Sequence, residues 1–274
     1  MRLHVTHETR YHLNDPARRS IQILRLTPRL DRCQRTLDWQ ITGPDRLTAW
    51  VDGFGNRAHL ADNGPHGRLL IRVEGVVETT DTVGILPLED GLPPRMFLRP
   101  TPLTQVDDAL RAFAAPFVAA RKQDGSLAAL HALMNAVADK VVHTRESTAV
   151  DHTAAQALAG GAGVCQDQAH VFIAAARLLE VPCRYVSGYL FGQESTAMAS
   201  HAWAEAFLED LGWVSFDPAN RQSATEAYIR LAVGLDYQSA CPIRGQRTGG
   251  GEESLEVTVT VQVQHPGQSQ SQAQ

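Results

Sequence analysis

Residues 160–179 read GGAGVCQDQAHVFIAAARLL, a glycine-rich approach that runs into a segment apolar on nearly all sides. Glycines commonly end a helix, and the apolar segment that begins at Cys165 predicts a new, buried central helix. The first turn of a helix has unpaired N–H groups and a partial positive charge, which help a thiol to ionise. The backbone N–H of Cys165 could also face a developing oxyanion. The sequence therefore indicates a nucleophilic cysteine at the start of this helix.

Two strand-like runs downstream carry residues that could assist the thiol, SHAWAEAFL at 200–208 and GWVSFDP at 212–218. A hairpin centred near Glu209 sets His201 directly opposite Asp217, because side chains alternate along a strand. A hairpin centred one residue later leaves the two side chains diagonal neighbours, still within reach. The pattern predicts a triad in which His201 is the base and Asp217 orients its imidazole.

Four segments of this region closely resemble the bacterial transglutaminase-like superfamily. In chain order they are GVCQDQAH at 163–170, RYVSGY at 184–189, SHAWAE at 200–205 and GWVSFDP at 212–218. The family's nucleophilic cysteine, histidine and aspartate match Cys165, His201 and Asp217. The resemblance implies an α+β fold with a papain-like, transglutaminase-like catalytic core over 103–245.

Three residues are expected to wall the substrate cleft: Asp167, Tyr185 and Trp203. Two others depart from the family pattern. Gln168 stands where an aromatic residue is usual and Cys183 where an alanine is usual. Both departures bear on substrate preference more than on catalysis.

The rest of the chain predicts a second, β-rich domain. Over 1–86, short strand-like runs alternate with turns, beginning with LHVTHETRYHL, which resembles the accessory domain that precedes this core in many bacterial members. The proline-rich residues 87–102 predict a linker. Residues 253–264 predict a strand that returns to the N-terminal sheet, since alone it could not bury its apolar face. Residues 265–274 predict a disordered tail.

Helices are predicted between the linker and the nucleophile. The periodicity favours helices over 105–122 and 126–142. A shorter helix is introduced by Thr153 and Gln156, which form a capping-box pattern, and is closed by the glycines that begin at Gly160.

Composition argues against several classes of protein. A net charge of -5 without a basic cluster disfavours nucleic-acid binding. No apolar run approaches the ~20 residues that span a bilayer, so no membrane partner is expected. The start MRLHVTHETR lacks a secretory signal pattern, which makes the cytoplasm the expected location. Four cysteines without a CxxC spacing argue against disulfides and structural zinc, and no cofactor or metal is expected.

These observations favour a cysteine-dependent acyl-transfer enzyme acting on amide bonds, with a thioester intermediate and a peptide or protein substrate. By analogy with the family, a peptidase or amidase that hydrolyses peptide or isopeptide bonds is favoured. Three alternatives stay open. The acceptor could be an amine, which gives a cross-linking transamidase; the cleft could be a non-catalytic binding module; or Cys165, His170 and His201 could bind zinc.

Overall fold

The computed structural model describes residues 1–86, 91–144, 150–192 and 200–264, and these residues form two main β-sheets and a group of helices. The strands are β1 (Arg2–Leu24), β2 (Gln34–Thr42), β3 (Arg46–Val51), β4 (Arg57–Asn63), β5 (His66–Thr79), β6 (Ile85–Leu86), β7 (Val142–His143), β8 (Ala162–Gly163), β9 (Cys183–Leu190), β10 (Ser200–Leu208), β11 (Gly212–Phe216), β12 (Tyr228–Gly234), β13 (Ile243–Gly249) and β14 (Glu253–Val263). The helices are α1 (Asp108–Asp124), α2 (Ser126–Lys140), α3 (Ala154–Gly160), α4 (Cys165–Leu178) and α5 (Tyr237–Ala240), with 3₁₀ turns at Pro94–Leu98 and Pro102–Thr104.

Strand β1 is the centre of the first sheet. Its first half pairs antiparallel with β5 and β14, and its second half with β4 and β13. The sequence predicted a strand only over residues 3–13, yet β1 continues to Leu24. The register with β5 shifts between His12 and Ala17, so Pro16 falls in an irregularity and removes no regular ladder bond.

Strands β13 and β14 lie end to end along one side of β1, with Ile243 opposite Leu24 and Val263 opposite Leu3. The strand expected over 253–264 thus lies in the N-terminal sheet, as does the segment before it. The predicted end of the catalytic core at residue 245 is therefore wrong, because it falls inside β13. The tail expected over 265–274 lies outside the described residues.

The second sheet has the order β12-β9-β10-β11-β6. Strand β6 pairs with β11, so the predicted N-terminal domain, residues 1–86, ends too late by this strand. Local periodicity does not reveal which sheet so short a strand joins.

Helix α4 packs on one face of the second sheet, and α1, α2 and α3 contact it. Its residues from Ala169 to Ala176 are fully buried, which confirms a buried central helix. The predicted capping box is also present, since the Gln156 N–H donates to Thr153 Oγ1 and the Thr153 N–H donates to Gln156 Oε1. No helix in the described part of the chain is long and apolar enough to span a membrane.

The described part of the predicted linker, residues 91–102, packs on the second sheet. Phe97 is fully buried and its ring meets Trp213 edge to face, with centroids 5.2 Å apart. The prolines limit this segment to 3₁₀ turns, but the buried aromatic side chain anchors it. Residues 87–90 lie outside the described residues.

The N-terminal domain binds the outer edge of β12 through two side-chain amides. Asn56 donates to the carbonyl of Val233 and accepts from its N–H, both at 2.8 Å. Gln34 makes the same pair of bonds with Arg230, also at 2.8 Å. These side chains satisfy backbone groups as a neighbouring strand would, so the two domains are closely joined along this edge.

Candidate active site

The three predicted catalytic residues lie on three elements. Cys165 is the first residue of α4, His201 is the second residue of β10, and Asp217 directly follows β11. In the hairpin, Leu208 pairs with Gly212, which centres the turn on residue 210. The hairpin is therefore centred one residue later than Glu209, and the prediction that His201 lies directly opposite Asp217 is wrong. The two side chains are diagonal neighbours, which is the other predicted arrangement. His201 Nε2 lies 2.6 Å from Asp217 Oδ2.

The second ring nitrogen of His201 is left for the thiol, and His201 and Cys165 line the same cavity. Burial disfavours a charged imidazole, but the charges of the Asp217 carboxylate and the Cys165 sulfur, with the hydrogen bond to Asp217, raise the pKa of His201 to about 10. A protonated imidazole beside the sulfur stabilises a thiolate. The arrangement favours a protonated imidazole beside the sulfur at neutral pH.

Asp217 is fully buried and is held as an anion. Its Oδ2 accepts hydrogen bonds from His201, from Asn220 Nδ2 at 2.7 Å and from the Tyr228 hydroxyl at 2.7 Å. Its Oδ1 accepts from the N–H groups of Ala219 and Asn220. Burial would raise the pKa of Asp217, but the charge of His201 and these side-chain bonds lower it below its usual range.

Sequence reasoning missed Asn220 and Tyr228. Asn220 follows Asp217 by three residues in a turn, and an Asp-Pro-x-Asn pattern signals a turn without indicating a partner for the triad. Tyr228 comes from β12, which is two strands away from β10 in the sheet. Its hydroxyl reaches Asp217 only through tertiary packing, so no local signal reveals it.

The start of α4 is fixed by Asp167. Its Oδ2 accepts from the Val164 N–H at 2.8 Å, and its Oδ1 lies 2.9 Å from His152 Nδ1. A side chain at Gly163 would place a Cβ 2.7 Å from the Asp167 Cβ, so the glycine makes room for this carboxylate. Asp167 is fully buried and does not wall the cleft as predicted, because two residues turn about 200° around a helix from Cys165.

A cavity of ≈ 450 Å³ opens beside Cys165 and His201. Tyr185 lines it, at the position expected for a cleft wall. Trp203 does not, and the prediction that it walls the cleft is wrong. It shares a face with His201 but lies roughly 7 Å further along the strand, where it is fully buried and stacks with the imidazole at 6.0 Å between centroids. The opposite wall comes from the N-terminal sheet, through Thr9, Tyr11, Leu255 and Val257.

His170 packs beneath the cavity. Its Nε2 accepts a hydrogen bond from the Tyr237 N–H at 3.1 Å, and burial lowers its pKa to about 4. Its ring lies 5.2 Å from that of Tyr185. The hydrogen bond occupies the Nε2 lone pair that a metal would need. In residues 1–86, 91–144, 150–192 and 200–264, no group of three or more His, Cys, Asp or Glu residues is arranged to hold a metal ion.

The chain matches two protein families in adjoining stretches. Residues 111–218 match the core of the transglutaminase-like superfamily. The chain belongs to the transglutaminase-like superfamily. Residues 3–78 match the bacterial transglutaminase-like N-terminal region. The superfamily core contains all three residues of the Cys165–His201–Asp217 arrangement, and the second match covers strands β1 to β4 and most of β5.

Relatives of this transglutaminase-like protein match it along nearly its whole length. An uncharacterized protein of Mycobacterium leprae is 29% identical over 283 residues, covering 95% of this chain and 98% of its own. An uncharacterized protein of Mycobacterium tuberculosis is 28% identical over 293 residues, covering 96% and 92%. A crystal structure from Cytophaga hutchinsonii, described as a candidate cysteine protease, superposes with a TM-score of 0.76 at 21% identity, covering 96% of this chain and 90% of that one. This last likeness shows that the two-domain fold is shared.

Proposed function

We propose that this protein is a cysteine-dependent acyl-transfer enzyme that acts on amide bonds of a peptide or protein. Its favoured activity is hydrolysis, as a peptidase or amidase. The observation that carries the proposal is the position of His201, which hydrogen bonds to Asp217 and lines one cavity with Cys165. A buried histidine between a carboxylate and a thiol at a helix start is an arrangement suited to nucleophilic catalysis.

The chemistry follows from these charges. The Cys165 thiolate attacks the amide carbonyl carbon, and the carbonyl π electrons move to oxygen, near the N–H groups of the first turn of α4. When the C–N bond breaks, the nitrogen takes the proton of the His201 imidazolium and leaves as an amine or ammonia. The acyl group remains as a thioester. A water molecule then gives its proton to His201 while its oxygen attacks the thioester, which releases the carboxylic acid and the thiolate.

The acceptor of the acyl group decides between hydrolysis and transamidation. The Cytophaga protein's description as a candidate cysteine protease favours water as the acceptor, by analogy of fold. The superfamily name favours an amine as the alternative, since a lysine side chain that enters the cavity before water would form a new amide bond. A non-catalytic binding module is disfavoured because the nucleophile, base and orienting acid are all present, with His201 bonded to Asp217 and on the same cavity as Cys165.

The test compares wild type with Cys165→Ala on a mixed peptide library that contains a labelled primary amine, with products read by mass spectrometry. Cleaved or deamidated peptides that disappear in the variant support the hydrolase. Labelled adducts that disappear in the variant would replace it with the transamidase. Products that persist unchanged in Cys165→Ala would refute both.

Thiol reactivity tests the same site without a substrate. The other cysteines serve as internal controls, because burial raises the pKa of Cys33 above its usual range, that of Cys183 to about 12, and that of Cys241. We expect iodoacetamide near neutral pH to alkylate Cys165 first, as mapped by peptide mass spectrometry. Cys33→Ala should leave that rate unchanged. Equally slow labelling of all four thiols would support the binding module instead.

A further inference from the structure

One strand of the N-terminal sheet continues from the domain interface into the active-site cavity. On β14, Val259 and Val261 are buried against Tyr189 and neighbouring apolar residues of the second sheet. The next residues on the same face, Leu255 and Val257, are 55% and 46% exposed and line the cavity with Cys165 and His201. The apolar face of an established interface therefore extends beyond its covered part, directly beside the nucleophile.

The backbone N–H and C=O groups of Leu255 and Val257 are directed away from β1. The hydrogen bonds from Gln264 N to Arg2 O and from Asn14 N to Glu252 O flank the ladder between β1 and β14. Hydrogen-bonded and non-hydrogen-bonded pairs alternate in an antiparallel ladder, so the even residues of β14 bond to β1. The N–H and C=O groups of Leu255 and Val257 consequently face the outer edge.

That edge is open and carries few of the usual protective features. In the described residues β14 pairs with β1 alone, so its outer edge has no strand beside it. Natural edge strands are guarded by proline, lysine or a bulge. Over eleven residues β14 has neither proline nor lysine, and its register with β1 is unbroken. Such an edge favours pairing with another extended chain.

The space beside Leu255 and Val257 suits an extended chain. A second cavity of ≈ 640 Å³ continues from the first over the face of the N-terminal sheet, where residues of β1, β5, β13 and β14 line it. Tyr11, Tyr237, Ile243 and Leu255 line both cavities, so the two form one groove that runs past Cys165. A polypeptide is the occupant that matches an amide-directed thiol, an apolar wall and a row of backbone donors and acceptors.

We propose that the polypeptide substrate adds as a β-strand to the outer edge of β14 at Leu255 and Val257, which presents its amide bond to Cys165. The inference rests on the proposed function, because it deepens the assignment of the same site. It gives the N-terminal domain a direct role as one half of the substrate cleft. Main-chain hydrogen bonds supply affinity with little dependence on sequence, and alternate side chains enter the cavity.

The test measures binding in the Cys165→Ala background, where no turnover occurs. The probe is reduced, carboxymethylated lysozyme labelled with fluorescein, an unfolded polypeptide, and binding is read by fluorescence anisotropy. Val257→Pro removes one outward N–H beside the cavity, and Val263→Pro removes one from the same edge far from it. Neither substitution removes a bond to β1, because both residues are at outward positions. Circular dichroism checks that both variants are folded.

We expect Val257→Pro to weaken binding about tenfold and Val263→Pro to change it less than about twofold. A parent that does not bind the probe, or equal affinities for the two proline variants, would overturn the proposal. Hydrogen exchange in Cys165→Ala gives a second readout that needs no edge variant. The amides of Leu255 and Val257 should exchange quickly in the free protein and slowly with the probe bound. Slow exchange before the probe is added would assign the edge to a second copy or another segment of the chain, and would also overturn it.

The two proposals fail in different ways. If Cys165→Ala binds the probe and Val257→Pro weakens that binding, but the wild type forms no products, the proposed docking edge stands and the proposed acyl-transfer activity is refuted. If the wild type forms products that depend on Cys165, but Val257→Pro does not change binding of the probe, the proposed activity stands and the proposed docking edge is refuted.

Discussion

Burial alone would lower the pKa of His201, yet the carboxylate of Asp217 and the sulfur of Cys165 raise it from its usual 6.5 to about 10. A group with a higher pKa in the folded state binds its proton more tightly there, so protonation of His201 stabilises the fold. That contribution is complete below about pH 6.5 and is lost as the pH rises through about 10. The charge that the proposed mechanism uses also contributes to stability.

The pH dependence of stability is therefore a test of the His201 charge. Between pH 6.5 and 10, the urea midpoint of wild type should fall more steeply than that of His201→Gln, which has no imidazole to titrate. The measurement is a series of equilibrium unfolding curves at fixed ionic strength. Parallel profiles for the two proteins would show that His201 is not held protonated.

We expect Tyr228 to position the proposed triad, since its hydroxyl donates to Asp217 at 2.7 Å and accepts from Gln222. Tyr228→Phe removes one donor from a buried carboxylate, and we expect a loss of about 1–2 kcal/mol in unfolding free energy. With one donor fewer, the carboxylate keeps more of its negative charge to stabilise the imidazolium, so the pKa of His201 should rise, as read by NMR titration. Tyr189→Phe is the matched control, because that hydroxyl bonds to His7 instead. Equal effects on the imidazole in both variants would argue against the positioning role.

At the scale of elements, the start of α4 depends on a carboxylate that does not face the cavity. Asp167→Asn removes the negative charge that accepts from the Val164 N–H and from His152. We expect a loss of about 1 kcal/mol in unfolding free energy and slower alkylation of Cys165, because the first turn of the helix is less firmly held. Asp108→Asn, in the first turn of α1, is the control and should leave alkylation unchanged. If Asp167→Asn also leaves the alkylation rate unchanged, this carboxylate does not determine the position of the Cys165 thiol.

The site was predicted from the sequence where its geometry is local. A capping position, an apolar helix and two alternating strands indicated Cys165, His201 and Asp217, and the structure brings the three together. Local patterns did not show how deeply a side chain is buried or which residue it contacts. Trp203 shares the face of His201 but lies inside the sheet, and Tyr228 reaches Asp217 from another strand. These features depend on how elements pack, which periodicity does not encode.

At the scale of the whole molecule, the strand pairing of the N-terminal sheet was predicted only in part. The sequence predicted a β domain, a linker, a core and a strand over 253–264 that returns to the first sheet, but it did not predict the pairing of β13 with β1. In the structure the chain leaves the N-terminal sheet, builds the second sheet and returns through β13 and β14 to β1. Such a return depends on pairing between residues more than 200 positions apart. It places one wall of the cavity on the N-terminal domain, so the two domains form the site together.

The contact between the two domains includes a buried ion network at the edge of the second sheet. Glu205 accepts from Arg184 at 2.7 Å and from Arg230 at 2.7 and 2.9 Å, and Arg230 also binds Asp31 of the N-terminal domain. Glu205 lies four residues from His201 on β10. Removing one partner of a buried ion pair leaves an uncompensated charge in a low-dielectric interior.

Arg230→Met should therefore cost about 3–5 kcal/mol of unfolding free energy, measured by urea denaturation. Arg19→Met is the control, because it breaks only the surface ion pair with Asp62. It should leave the urea midpoint unchanged. Because Asp31 then loses its cation, the N-terminal domain should loosen first, with faster hydrogen exchange in residues 31–34 than in α4. Uniformly faster exchange across both domains would show instead that the two sheets unfold as one unit, and an unchanged midpoint would show that Arg184 alone neutralises Glu205.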